Sequence, residues 1–263
     1  MTRRRLDAEL VRRGLAGSRA EARETVEAGM VRVAGVIATK PAAMVSDDAP
    51  VDVLGSKRPF VSRAGGKLDT ALTRFAIDPA GRRCLDAGAS TGGFTDVLLQ
   101  RGAAHVIAVD VGYGQLAWEL RNDPRVTVME RTNVRALTPA ELPYRADLVV
   151  ADLSFISLRT VLGALRALAS DDGRLLVLVK PQFEAGREYV GRGGVVRDPA
   201  VWARVLDEVV SVAGALGLGA IHAMASPVKG PAGNVEFLLA LQPGVSSTAD
   251  LDAAVAEGEG LLR

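Results

Sequence analysis

The stretch Cys84-Leu85-Asp86-Ala87-Gly88-Ala89-Ser90-Thr91-Gly92-Gly93-Phe94-Thr95 constrains this chain more than any other. An apolar run passes through an acid into a glycine-rich turn and then into a helix-forming segment, the pattern of the first strand, turn and helix of an α/β sheet. Glycines let the backbone turn tightly and approach a ligand closely, and the first turn of the following helix offers it free N–H groups. A purely structural turn is the alternative, since glycine clusters often mark nothing more. Two acids speak for a ligand. A dinucleotide site requires G-x-G-x-x-G, but position 90 is Ser, and a carboxylate at the lip, Asp86, repels a pyrophosphate. S-adenosylmethionine carries no phosphate, and its amino group and sulfonium are cationic, which suits Asp86. The next apolar strand, His105-Val106-Ile107-Ala108-Val109-Asp110, ends in a second acid at the spacing expected of one that holds ribose hydroxyls.

A chain of 263 residues, 48% hydrophobic and 24% charged, can bury a core of ordinary size and allows one large domain, or a large one with a small one. It contains no apolar run of the roughly 18 residues that a membrane span needs, and Met1-Thr2-Arg3-Arg4-Arg5 lacks a signal peptide's apolar stretch, so a cytoplasmic protein is expected. The single cysteine, Cys84, sits in an apolar strand and is expected to be a buried, inert thiol. Net charge is only +1, so affinity for nucleic acid must come from local clustering. The first 60 residues do cluster, with 11 Lys and Arg against 8 Asp and Glu and seven arginines between positions 3 and 23.

Leu6, Leu10, Val11 and Leu15 have helical spacing up to Gly14 and Gly17, with Arg3, Arg4, Arg5, Arg12 and Arg13 on the other faces of the expected helix. Ser18-Arg19-Ala20-Glu21 is a capping box for a second helix, with Ala22, Val26 and in part Thr25 inward, and Gly29 stops it. Met30 to Ile37 alternates into a glycine turn, and Pro41 to Val53 supplies a further short strand. Helix, capped helix and hairpin look like an S4 RNA-binding domain. The arginines could instead be a solvated face, as charge runs usually are, but their concentration in one module too small for a substrate cleft favours RNA. Gly55 to Phe60 reads as a linker. The expected division is 1–54, an S4-like domain; 55–60, the linker; and 61–263, the second domain.

In that second domain Leu68, Ala71, Leu72 and Phe75 form the apolar face of a helix. The runs at 84–86, 105–110, 126–129, 147–152 and 175–180, separated by helix-length segments, have the character of buried parallel strands, and 220–225 and 235–241 complete seven. A helix is expected from about Val201 to Leu216 and another over the final 20 or so residues. The fold class is therefore α/β, a seven-stranded doubly wound, Rossmann-like sheet of the SAM-methyltransferase type with a small N-terminal α+β domain.

Ligands of such sheets bind outside the carboxyl ends of the parallel strands. Asp152 and Lys180 end two apolar runs there, Glu236 lies at the start of a last strand that reaches the same edge if it is antiparallel, and Lys67 precedes the first helix. Lys, Asp, Lys and Glu meeting beside the cofactor can orient a hydroxyl and remove its proton, which methyl transfer to oxygen needs. Any one of these charges could simply mark where a strand meets water. Lysine usage weighs against that: five lysines stand against 27 arginines. Arginine cannot lose its proton in a protein, and two of the five lysines lie where a titratable amine is wanted.

Asp86 to Thr95, Asp110-Val111-Gly112-Tyr113-Gly114-Gln115-Leu116, Asp152-Leu153-Ser154-Phe155-Ile156-Ser157-Leu158, Val179-Lys180-Pro181-Gln182-Phe183-Glu184 and Ser226-Pro227 through Gly233-Asn234-Val235-Glu236 closely resemble the TlyA family of ribosomal RNA ribose methyltransferases, over nearly the whole chain. That resemblance implies an S4 domain joined to an FtsJ-type domain, and SAM-dependent 2′-O-methylation of cytidine in the RNA of both ribosomal subunits without a metal. It places the catalytic tetrad on Lys67, Asp152, Lys180 and Glu236, with a lysine as general base. Cofactor contacts are implied at Asp86, Ala87, Gly88, Ser90, Thr91, Gly92, Gly93, Phe94, Asp110, Val111, Gly112, Asn133, Asp152 and Leu153. RNA contacts are expected at Arg3, Arg4, Arg5, Arg12, Arg13, Arg19, Arg23 and Arg63. One departure is Phe60 after Pro59, where the family pattern has a tryptophan, and this bears on coupling between the domains. The family has also been labelled haemolysin, but a membrane-lytic toxin needs a long apolar or strongly amphipathic exported segment, and none is present. A non-catalytic RNA-binding relic would be expected to have lost the turn glycines or the tetrad. Without the resemblance, a nicotinamide-dependent oxidoreductase is the competing reading.

Overall fold

The computed structural model describes residues 3–13, 15–16, 18–54 and 59–262. Gly14, Gly17 and most of the expected linker, 55–58, lie outside the described residues. The chain begins with β1 (Arg3–Arg5), α1 (Leu6–Arg12), α2 (Arg19–Glu27), β2 (Val31–Val33), β3 (Val36–Ala38), β4 (Met44–Ser46) and β5 (Val51–Val53). Arg3, Arg4 and Arg5 are thus in a strand paired antiparallel with β4, which corrects their expected place on the first helix. The reason is tertiary: the backbone enters α1 already tied to its neighbour by Leu6 N–H to Ala43 O at 2.8 Å and Asp7 N–H to Pro41 O at 2.9 Å. The single strand expected between Pro41 and Val53 is two. β4 serves β1, while β5 joins β2 and β3 in a separate three-stranded sheet of order β3-β2-β5. Ser18 caps α2 by accepting the Glu21 N–H at 3.2 Å, as its sequence foretells. Leu6, Leu10, Ala22, Val26 and Val31 form this module's fully buried core.

The rest of the chain runs α3 (Ala64–Arg74), β6 (Arg83–Ala87), α4 (Gly93–Gln100), β7 (His105–Val109), α5 (Trp118–Arg121), β8 (Val126–Met129), β9 (Ala146–Ala151), α6 (Leu162–Leu168), β10 (Ala169–Val179), α7 (Pro181–Glu184), α8 (Pro199–Ala215), β11 (Leu218–Ala225), β12 (Phe237–Pro243) and α9 (Leu251–Gly260). Seven strands form one sheet in the order β11-β12-β10-β9-β6-β7-β8. β6 through β10 pair in parallel, and β12 runs antiparallel to both of its neighbours. Both faces are covered, which is why the strands read as continuous apolar runs. Leu85, Ile107, Val149 and Val177 point into one buried cluster, and Cys84, Val106, Leu148 and Leu176 into the other. Each such side chain, fully buried, contributes about 1.5–3 kcal/mol over its exposed state. Burial pushes the Cys84 thiol up to about 12, so it is inert at neutral pH.

The chain passes from β6 outward to β7 on one side and later to β9 on the other. The direction of winding therefore reverses between β6 and β9, and in doubly wound sheets ligands bind at the carboxyl edge beside such a reversal. β12, being antiparallel, returns its first residues to that same edge.

Candidate active site

The turn after β6 is shaped by contact with the loop after β9. Gly88 has φ +87°, and a Cβ there would stand 2.6 Å from the Asp152 carbonyl oxygen, so only glycine fits. Asp152 N–H in turn donates to Ala87 O at 3.1 Å. Asp110, just past β7, closes the other side: its carboxylate accepts Ser90 N–H at 2.8 Å and Gly112 N–H at 2.6 Å. Between these loops lies a cleft lined by Ser90, Asp110, Gly112, Gln115, Leu116 and Glu130. The last three were not named as ligand contacts from the sequence: Gln115 and Leu116 lie in a stretch that carries the family resemblance, and Glu130 lies outside every such stretch.

Asp86 is fully buried. Its Oδ2 accepts the Thr95 hydroxyl at 2.7 Å, and its Oδ1 has no hydrogen-bond partner among the described residues. Burial, reinforced by the charges of Asp152 and Asp110 and opposed by the Thr95 hydrogen bond, pushes this carboxyl up to about 7. An unfilled acceptor of negative charge at the end of the switch-point strand fits a cationic ligand such as S-adenosylmethionine. Other expected contacts are placed less uniformly. Thr91 and Gly93 stand at the entry to α4, where a Gly93 Cβ would collide with Ser62 Oγ at 2.2 Å. Gly92 caps that helix in the left-handed region at φ +97°. Phe94 is buried in the cluster beneath the sheet and has only its main chain to offer. Val111 is exposed, the Leu153 side chain lies against Gly88, and the Asn133 side-chain Oδ1 accepts Arg135 N–H at 3.1 Å.

The four tetrad residues do meet. Lys67, expected ahead of the helix, lies within the first half of α3 and has its Nζ 2.6 Å from Glu236 Oε2 and 4.0 Å from Asp152 Oδ2. Lys180 Nζ, at the end of β10, lies 2.5 Å from Asp152 Oδ1, off the line of a hydrogen bond, and donates to Ser154 Oγ at 2.9 Å. Gln182 Nε2 donates to the other Glu236 oxygen at 3.3 Å. Acid and base alternate along Glu236, Lys67, Asp152 and Lys180, so four little-exposed charges are each beside an opposite one. Ser154 and Gln182, each three residues past a strand end, lie within stretches that carry the family resemblance but were not singled out, since a neutral side chain there does not by itself mark a role. Phe155 was missed as well. It is 90% exposed and left-handed at φ +63°, with its ring 5.3 Å from that of Phe183. A bulky side chain held in that backbone region stores strain of the kind that gathers at functional sites.

The N-terminal arginines divide into two groups. Arg5 and Arg19 pair with Asp7, and Arg12 and Arg13 with Glu9, both acids being almost wholly buried. Hydrogen bonds from Arg5 hold Asp7 down to about 2, and those from Arg12 hold Glu9 down to about 2. Arg13 also donates to the carbonyls of Ala49 at 2.5 Å, Asp47 at 3.0 Å and Ser46 at 3.2 Å, a structural use. Arg4 stands 3.8 Å from Asp47 and 3.9 Å from Glu9. Arg3, Arg23 and Arg63 are exposed and form no ion pair among the described residues. Also among these residues, no group of three or more His, Cys, Asp or Glu could hold a metal ion, and no helix is long and apolar enough to cross a membrane.

Residues 60–243 match the family described as FtsJ-like methyltransferase, and residues 4–51 match the S4 domain. The chain is 61% identical over 241 residues to the 16S/23S rRNA (cytidine-2′-O)-methyltransferase TlyA of Mycobacterium tuberculosis, covering 91% of this chain and 90% of that one. It is 33% identical over 195 residues to the 23S rRNA (cytidine-2′-O)-methyltransferase TlyA of Campylobacter jejuni, covering 74% of each. A solved structure from Streptococcus thermophilus carrying a haemolysin name superposes with TM-score 0.82 at 39% identity, over 100% of this chain and 98% of that one. Correspondence of this extent, along the S4 module and the sheet alike, means that the chain belongs to the TlyA family of FtsJ-like methyltransferases.

Proposed function

We propose that the protein transfers a methyl group from S-adenosylmethionine to the ribose 2′-oxygen of cytidine in ribosomal RNA, with Lys180 as the base that takes the hydroxyl proton. One observation carries this reading. The alternating chain Glu236, Lys67, Asp152, Lys180 stands at the carboxyl edge of the sheet beside the glycine turn, and it ends in an amine facing one carboxylate and one hydroxyl.

The bound cofactor supplies an electrophilic methyl group on a sulfonium. Asp86 suits its amino end and Asp110 its ribose. A 2′-hydroxyl is a poor nucleophile, and removing its proton as the new bond forms contributes typically about 10²–10⁴-fold. Lys180 in its neutral form accepts that proton at Nζ, while Asp152 and Ser154 keep the amine from swinging away. Lys67 faces two carboxylates where Lys180 faces one, so Lys67 is the orienting charge and Lys180 the proton acceptor. Phe155 presents an exposed ring close to Ser154, on which an unstacked nucleobase can lie.

The division of labour follows the proposed boundaries, with 1–54 holding RNA through Arg3 and Arg23, 61–263 performing the chemistry with Arg63 on the RNA side, and 55–60 joining them. The much higher identity to the relative named for 16S and 23S rRNA than to the one named for 23S alone supports action on both subunits. Methyl transfer from labelled S-adenosylmethionine onto separated small and large subunits, with the modified nucleotide mapped, tests this. Label at a cytidine ribose in both, lost in Lys180→Met, is the expected result, and a methylated base or unlabelled RNA rejects the reading.

A further inference from the structure

One buried acid close to the catalytic chain takes no part in it. Glu184, the last residue of α7, is 4% exposed. Its carboxylate accepts the Ser157 hydroxyl at 2.5 Å, Leu158 N–H at 2.6 Å and Arg159 Nε–H at 3.3 Å, and its main-chain oxygen accepts from Arg159 at 2.8 Å. Arg159 is held on its other side by Glu208 of α8. An acid from the element that follows Lys180 thus grips three consecutive residues of the segment that follows Asp152.

The consequence lies between the two. Residues 153–156 are a short bridge with both ends tied, one by Asp152 N–H on Ala87 O and the other by Glu184. Within the bridge Ser154 Oγ receives Lys180 Nζ, and Phe155 is kept left-handed. A bridge this short has little freedom while both ends hold, and a misplacement of about 1 Å at a reacting group can cost 10²-fold in rate. We infer that Glu184 is a positioning residue: by fixing the far end of the bridge it sets Ser154, and through Ser154 the aim of the Lys180 amine. This rests on Lys180 being the acting amine.

A double-mutant cycle on the full-length protein tests it, read by single-turnover methyl transfer on ribosomal subunits, with affinity for S-adenosylmethionine and for the subunit measured alongside. Glu184→Gln keeps shape and the Leu158 contact but loses two acceptor bonds. It is expected to slow the step about 10- to 100-fold with both affinities within a few-fold. In a Ser154→Ala background the same change is expected to cost under about threefold, because the group it positions is gone. Ser157→Ala, which removes one of the bonds to Glu184 together with the bonds that the same hydroxyl accepts from Arg159 but leaves the buried carboxylate in place, should show the same pattern more weakly. Equal losses in both backgrounds, an undiminished rate in Glu184→Gln, or a loss carried wholly by affinity would each overturn the inference. Failure of the base assignment reads differently: Lys180→Arg would then run near the wild-type rate, whatever the cycle shows.

Discussion

Lys180 Nζ stands 2.5 Å from Asp152 Oδ1, joining the ends of two parallel strands, β10 and β9, that lie side by side in the sheet. Arginine at position 180 would keep the charge and nearly the reach but could not accept a proton. Lys180→Arg is expected to fold and to bind S-adenosylmethionine and RNA within a few-fold of normal. Its methyl transfer should fall by roughly 10²-fold or more, as for loss of a positioned acid-base group. Single-turnover rates decide between a proton acceptor and a mere positive charge.

The buried Asp86 carboxyl, raised to about 7, links stability to pH and, with Asp86 as the proposed cofactor contact, cofactor affinity as well. Between about pH 4, where the unfolded chain's carboxyl ionises, and pH 7, the folded chain holds a proton that the unfolded chain lacks, so stability falls as pH rises across that window. Asp86→Asn removes the effect, and its stability relative to wild type should climb from pH 4 to pH 8. Affinity for S-adenosylmethionine should move the other way in wild type, strengthening as pH rises through 7 and the carboxylate forms. Titration calorimetry at pH 5.5 and pH 8 compares the two proteins, and identical pH dependence in both would remove Asp86 from the cofactor site.

Asp7 and Glu9 give the N-terminal module the opposite sign. Both are held down to about 2 by arginine, so they stabilise the fold in full above about pH 4 and cease to do so as pH falls from 4 to 2. Amide exchange in residues 6–12 should accelerate over that interval, and Glu9→Gln should shift the onset to higher pH. Unaltered protection of α1 down to pH 2 would contradict the pairing.

Unpaired and paired arginines should behave differently toward RNA. Arg3→Gln and Arg23→Gln are each expected to reduce the slope of log affinity against log salt by about 1, because each phosphate contact releases counterions. Arg13→Gln should instead lower the melting temperature of the module, since its guanidinium holds three carbonyls and Glu9. Binding isotherms over a salt series together with melting curves separate the two roles.

Much of the fold was legible because burial leaves a direct trace in a linear chain. The apolar runs ending at Ala87, Val109, Ala151 and Val179 could only be strands covered on both faces, and the acids and lysine that follow three of them, Asp110, Asp152 and Lys180, could then be placed on one edge. Ser18 announced its helix, since an N-cap acts within a single turn. What the sequence could not carry was anything set by partners distant along it. Arg13 and Arg23 are the same residue in similar local surroundings, yet one is consumed by the carbonyls of 46–49 and the other forms no ion pair among the described residues. Arg3–Arg5 extend helical spacing on paper and become a strand because Met44–Ser46 lies alongside. Phe155 is exposed and left-handed in a bridge whose far end is tied to Glu184, a residue distant along the chain. Local preference and periodicity are properties of neighbours in the chain, whereas pairing, exposure and the direction of a charged side chain follow from which surfaces meet once the sheet has brought them together.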